Sequence, residues 1–198
     1  GDTMTPYLRD NEYGDPETST VLMKGIMASE ISECNEILLT EIITNDFFLD
    51  LEPAEIVAVL SVFIEEKSND ITNIKTLNIP HNMKEILHKI NYISKDFADY
   101  EYNSYIEIGT DWNIYLSFVE PAYKWAQGNS ITDIYESFGD IYEGTFIRNI
   151  LRIKNIIDNL KNIAEMINNS ALLKKLENLD SILVRDQVTT ESLYISKN

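Results

Sequence analysis

Residues 143–168 read EGTFIRNILRIKNIIDNLKNIAEMIN. The stretch has no proline and a single glycine, Gly144, at its second position. Its apolar residues are Phe146, Ile147, Ile150, Ile153, Ile156, Ile157, Leu160, Ile163, Ala164 and Ile167. Steps of three and four put them on one face of an α-helix. At about 1.5 Å per residue the helix would be roughly 39 Å long, enough to cross a small domain. A second line runs along another face: Arg148, Arg152, Asn155, Asn159, Asn162. It carries two guanidinium groups and three carboxamides, and no acid. In a chain of formal net charge −17 that is an unexpected stripe.

The segments around this helix read as further helices. Cys34 to Asn45 has helical spacing, with Ser32 as the expected N-cap. Pro53, a favoured first-turn residue, opens a helix expected to run through Glu66. Its apolar content is nearly all-round, so it should be the central buried helix. Residues 68–79 are polar and read as a connection. A long helix follows from His81 to about Glu107, stopped by Gly109. Asn113 to Gln127 reads as a helix that Pro121 should split or kink, ending at Gly128. Ser130 with Asp133 has the form of an N-cap and first-turn acid for a short helix to Phe138. Gly139 breaks the chain before the long helix. Ser170 is expected to cap a last helix, Ala171 to about Arg185. Thr20 to Lys24 reads as a short strand. The expectation is an all-α bundle of seven or eight helices over residues 21–198, with one long helix near the C-terminus. Residues 1–20 are expected to be irregular.

The acidity is uneven. The first 142 residues hold 26 acids and 8 bases, the last 56 hold 7 and 8. A free nucleic-acid binder is usually basic overall. This chain alone should therefore bind RNA or DNA poorly, and a nucleic-acid role must use a local surface or borrow basic surface from elsewhere. Acidity that simply keeps the domain soluble is the competing explanation. The lone Cys34 excludes an internal disulfide framework and fits a reducing, intracellular compartment. No apolar run approaches the roughly 20 residues that cross a bilayer.

Catalytic motifs are lacking. There is no GxxxxGK[ST] phosphate loop and no GxGxxG turn. His81 and His88 have no Cys or second His at zinc spacing, so they read as a helix-start residue and a surface residue. Cys34 reads as a structural thiol. Acid pairs such as Glu65–Glu66 and Asp99–Glu101 read as solvated surface. Trp112 and Trp125 read as packing residues. Tyr92, Tyr100, Tyr102 and Tyr105 read as half-buried. The Arg/Asn stripe is the one candidate site. Arginine can stack on a base, and asparagine can both donate and accept at base edges or sugar hydroxyls. A ladder of them could touch successive nucleotides of one strand. A solvated helix face is the alternative reading.

Three blocks bear on that choice. Met23-Lys24-Gly25-Ile26-Met27-Ala28-Ser29-Glu30-Ile31 is followed by Glu36-Ile37-Leu38-Leu39-Thr40-Glu41 and then by Leu60-Ser61-Val62-Phe63-Ile64-Glu65-Glu66. Trp125-Ala126-Gln127-Gly128 leads to Glu143-Gly144-Thr145-Phe146-Ile147-Arg148 and Leu151-Arg152. Arg185-Asp186 precedes Ser192-Leu193-Tyr194-Ile195. In order and spacing these resemble the C-terminal helical (DSHCT) domain of superkiller and exosome-cofactor DExH-box RNA helicases, over about residues 21–195. The resemblance implies a non-catalytic domain of an ATP-dependent 3′-to-5′ RNA helicase. It would pack on the motor domains and line the single-strand RNA channel with a "ratchet" helix, here residues 143–168. It implies that ATP and Mg are bound outside this segment. The implied partners are the motor domains, single-stranded RNA and RNA-decay or exosome-like factors, with no membrane. The family's ratchet arginine falls on Arg152, with Arg148, Asn155 and Asn159 as neighbours. A family glutamate falls on Asn155, and a family arginine in the first block falls on Ile26, so any roles of those two groups are missing here. Residues 1–20 would be the end of a preceding winged-helix domain.

Two other readings stand beside this one. The chain could be an acidic protein-interaction module using its tyrosines, or the equivalent domain of a DNA helicase. Arg148 could also bridge to Glu143 or to another helix.

Overall fold

A computed structural model describes residues 16–66, 73–104, 109–139 and 141–189. Among the described residues there are nine α-helices and no strand, an all-α fold as expected. The helices are α1 (Pro16–Ser29), α2 (Glu36–Thr44), α3 (Pro53–Leu60), α4 (His81–Asn103), α5 (Val119–Ala126), α6 (Ile131–Phe138), α7 (Glu143–Met166), α8 (Ser170–Leu176) and α9 (Leu179–Leu183).

The long helix is where its periodicity puts it. Of the apolar residues on the predicted face of α7, all but Ile167 are buried, and Ile167 is half-buried just beyond the helix end. Near its start Phe146 is wedged between two rings. It meets Trp125 edge-on at 5.3 Å and Phe118 at 5.6 Å. Farther along, α7 packs against α8, α9 and α3. Helix α3 is the buried one: Ile56 to Leu60 are fully covered, with α5 lying along it.

Helix ends show which local rules won. Ser130 is the expected N-cap of α6, and Asp133, expected only as a first-turn acid, answers it in a reciprocal capping box. At α2 the cap is Asn35, whose Oδ1 accepts from the Leu38 N–H at 3.0 Å, and not Ser32. At α8 Asn169 caps in place of Ser170, accepting from the Leu172 N–H at 3.0 Å. Helices α2, α5 and α7 end alike. One residue turns left-handed, Asp46 (φ 54°), Gly128 (φ 102°) or Asn168 (φ 57°), and the next N–H reaches back five residues. At α7 the Asn169 N–H meets the Ala164 carbonyl at 2.8 Å, closing the last turn.

Five expectations need correction. Thr20 to Lys24 is not a strand but the middle of α1, so residues 16–20 are helical as well. Helix α3 stops at Leu60 and passes through a 3-10 turn, Ser61–Phe63. The Val62 carbonyl is taken by the Tyr115 N–H at 2.8 Å, which removes it from the helical ladder. Pro121 neither splits nor kinks α5. It sits in the first turn, where an N–H has no helical partner to lose, and residues 113–116 ahead of it are non-helical. The last helix is broken into α8 and α9, with a turn at Glu177 and Asn178. Helix α4 ends at Asn103, and the expected tail block Ser192 to Ile195 lies outside the described residues.

The cap assignment can be checked. Asn35→Ala should lower unfolding free energy by about 1 kcal/mol in urea titrations. Ser32→Ala should leave the midpoint unchanged, because its side chain caps nothing.

Candidate nucleic-acid interface

The stripe on α7 does not stay uniform. Arg148 is exposed and its Nη2 donates to Thr145 Oγ1 at 3.2 Å; among the described residues neither Glu143 nor another helix bonds it. Arg152 and Asn155 are exposed, and neither makes a side-chain hydrogen bond or ion pair among the described residues. Asn159 is half-buried. Its Oδ1 accepts the Ser32 N–H at 3.1 Å, tying the α1–α2 connection to α7 and leaving its amide donors uncommitted. Asn162 is exposed. The two lysines of α7 lie off this stripe and are paired. Lys154 meets Asp158 at 2.8 Å, and Lys161 meets Asp180 of α9 at 3.0 Å. Arg152 is therefore the cation of α7 left without an intramolecular partner among the described residues.

Arg152 also lines a cleft together with the start of α2, Phe63 and the 110–115 segment. That segment is held from several sides. Asn35, besides capping α2, donates from Nδ2 to the Asp111 carbonyl at 3.0 Å. The Ser94 hydroxyl donates to the Trp112 carbonyl. The Trp112 ring stacks on Phe97 at 5.2 Å with planes 4° apart, and its N–H donates to Glu101 Oε2 at 3.1 Å. Both tryptophans are thus packing residues, while Glu101 is not the solvated acid expected of it.

Electrostatics in the cleft follow from these bonds. Burial works to raise the Asp111 pKa, but hydrogen bonds from Tyr115 and Asn113 outweigh it and hold the carboxyl below its usual range. The same bond, with burial, pushes Tyr115 up to about 12. Cys34 is half-buried against the core. Burial pushes its thiol up to about 12, although the Arg152 guanidinium pulls the other way.

A second arginine carries a structural role that the sequence reading missed. Arg185 lies 3.5 Å from the Trp125 ring centroid. Its Nη2 donates to the carbonyls of Trp125 at 2.6 Å and Asn129 at 2.9 Å, and its Nε to Ile182 at 3.2 Å. Trp125 answers by donating from Nε1 to the Leu183 carbonyl at 2.9 Å. Two of the blocks that carried the resemblance are therefore in contact, and they lock the end of α9 onto α5. An arginine and a tryptophan 60 residues apart give no local signal of this.

The tyrosines of α4 are also corrected. Tyr92, Tyr100 and Tyr102 are 74%, 72% and 82% exposed, because they lie off the line of Met83, Leu87, Ile90 and Ser94 that α4 buries. Tyr105 lies outside the described residues. His81 and His88 are both exposed, His81 at the helix start and 3.6 Å from Glu85. Among the described residues no three His, Cys, Asp or Glu side chains are grouped to hold a metal, and no helix is long and apolar enough to cross a membrane.

Fold and site together define an all-helical domain built around one long helix that presents an unpaired arginine beside a polar cleft. The profile of the DSHCT (NUC185) domain matches residues 18–190, and the chain belongs to that family. It is 32% identical over 180 residues to the ATP-dependent RNA helicase mtr4 of Schizosaccharomyces pombe, covering 87% of this chain and 15% of the relative. It is 31% identical over 199 residues to the antiviral helicase SKI2 of Saccharomyces cerevisiae, covering 95% and 15%. With the exosome RNA helicase MTR4 of Homo sapiens it shares 29% over 184 residues, covering 90% and 17%. It is thus a helicase-associated domain that spans about one-sixth of the length of these relatives.

Two measurements follow. Arg185→Lys keeps the charge but loses the planar fork, and should lower unfolding free energy by about 2 kcal/mol in urea. Alkylation of Cys34 by iodoacetamide should be slow at pH 8 and accelerate only toward pH 12, whereas the unfolded chain should react with the usual cysteine profile, near about 8.5.

Proposed function

We propose that this domain forms one wall of the single-stranded RNA channel of an ATP-dependent 3′-to-5′ RNA helicase, with α7 as the helix that touches the strand. The observation that carries this reading is Arg152. It stands exposed and without a partner on a helix whose other face is locked into the core. A guanidinium in that position can stack on a base while its N–H groups reach sugar or phosphate. Arg148 and Asn155 lie on the same face one turn to either side, and Asn159 offers its remaining amide donors. The names of two of these relatives, RNA helicases of Schizosaccharomyces pombe and Homo sapiens, support RNA as the strand. ATP and Mg would be bound by motor domains outside this segment, which carries no phosphate loop. Helix α1 runs back past residue 21, the expected start of the bundle, to Pro16.

Arg152→Ala in the full-length helicase should slow unwinding of a 3′-tailed RNA duplex by about tenfold, the order of one base–side-chain stack. The helical circular-dichroism signal should not change. Unwinding that stays at wild-type rate across a range of salt concentrations would sink the assignment.

A second reading has one observation in its favour, the exposed Tyr92, Tyr100 and Tyr102 on α4. In that reading the domain docks a protein partner there. Capture of such a partner would depend on these tyrosines and ignore Arg152.

A further inference from the structure

The cleft beside Arg152 has a volume of about 320 Å3, within the range of small-ligand pockets, about 300–1,000 Å3. Its polar groups divide sharply by kind. Arg152 brings five N–H donors, none of them engaged among the described residues. The rest of the polar lining is rich in acceptors. Asp111 Oδ1 accepts from the Asn113 N–H at 2.9 Å and from Asn113 Nδ2 at 3.0 Å. Asp111 Oδ2 accepts from the Tyr115 hydroxyl at 2.6 Å. A carboxylate has about four acceptor sites, so about one remains open. The side-chain oxygens of Asn113 and Glu36 accept nothing among the described residues. The backbone that carries Asp111 and Asn113 is braced before any ligand arrives, because Asn35, Ser94 and the Tyr115–Val62 bond hold that segment.

A phosphate suits this lining badly, since Glu36 and ionised Asp111 would repel it. A neutral group that donates a hydrogen bond suits it well. We propose that the cleft holds one nucleotide of the RNA strand, with Arg152 over its base and the Asp111–Asn113 wall accepting a hydrogen bond from its ribose 2′-hydroxyl. This rests on the reading of α7 as an RNA-contacting helix. It adds a basis for choosing RNA over DNA, because deoxyribose has no hydroxyl to donate. Tyr115 orients Asp111 and acts as a positioning residue.

The test uses the full-length helicase and two probes, a U12 ribo-oligonucleotide and its 2′-deoxy counterpart, with affinities read by fluorescence anisotropy. Wild type should prefer the ribose probe. Asn113→Ala and Asp111→Asn should each weaken U12 binding by about threefold to tenfold, the worth of one hydrogen bond, and leave the deoxy probe unchanged. Tyr115→Phe should shift the ratio in the same direction by less. A ratio unmoved by these variants, while Arg152→Ala weakens both probes, overturns the ribose site and leaves the channel-wall reading intact. Equal weakening of both probes by Asp111→Asn also overturns it, since that marks a general structural or charge effect. If Arg152→Ala changes neither probe, the channel-wall reading itself fails.

Discussion

The isoleucine face of α7 is the constraint from which the rest of this domain follows. A 24-residue helix has little stability of its own in water and depends on burying its apolar side. Six isoleucines, Leu160 and Phe146 do so here, each contributing about 1.5–3 kcal/mol by removal from water. Phe146 fixes rotation at one end by fitting between Phe118 and Trp125. With one face clamped along its length, the directions of the remaining side chains are no longer adjustable. Arg152 points outward because Ile153, Ile156 and Ile157 point inward. A contact made by such a residue is held by the core rather than by a loop.

Electrostatics impose a second constraint of opposite tendency. The chain carries −17 overall, and the cleft next to Arg152 includes Glu36 and Asp111. One guanidinium cannot offset that field for a polyphosphate. At physiological salt, charges beyond about 8 Å are screened, so what Arg152 meets is mostly its immediate wall. In the proposed channel-wall role the arrangement would favour contact with bases and sugars over phosphates.

Much of this was legible in the residue pattern, and the failures have a common cause. The periodicity of α7 and the Ser130 cap are local signals, and both appear in the structure as read. The end of α3 was not legible, because the Tyr115 N–H that withdraws the Val62 carbonyl comes from 53 residues away in sequence. Asn35 and Asn169 outcompeted neighbouring serines as caps, a choice that propensity scarcely separates. The tyrosines of α4 follow the same logic in reverse. An apolar ring looks like core unless one knows that, beyond Ser94, α4 is covered only on the side where Trp112 meets Phe97 and Glu101. At the site, the stripe was visible as a line, but its division was not. Asn159 is committed to the Ser32 N–H by a contact 127 residues apart, and no spacing rule anticipates it.

The same long-range contacts explain why the cleft belongs to the fold rather than to chance. Asn35 serves α2 and the 110–115 segment with one side chain, capping with its oxygen and donating with its nitrogen. Removing that residue would loosen a helix start and the cleft wall together. Trp112 is fixed by stacking, by its own N–H and by the Ser94 hydroxyl, although it is only half-buried. The stiffness of the 110–115 segment matters because a single hydrogen bond discriminates between ligands only when its acceptor cannot move away from the wrong one. A wall that relaxed would accommodate ribose and deoxyribose alike, so in the proposed ribose site the bracing of Asp111 would let so small a difference between two sugars register as a difference in binding.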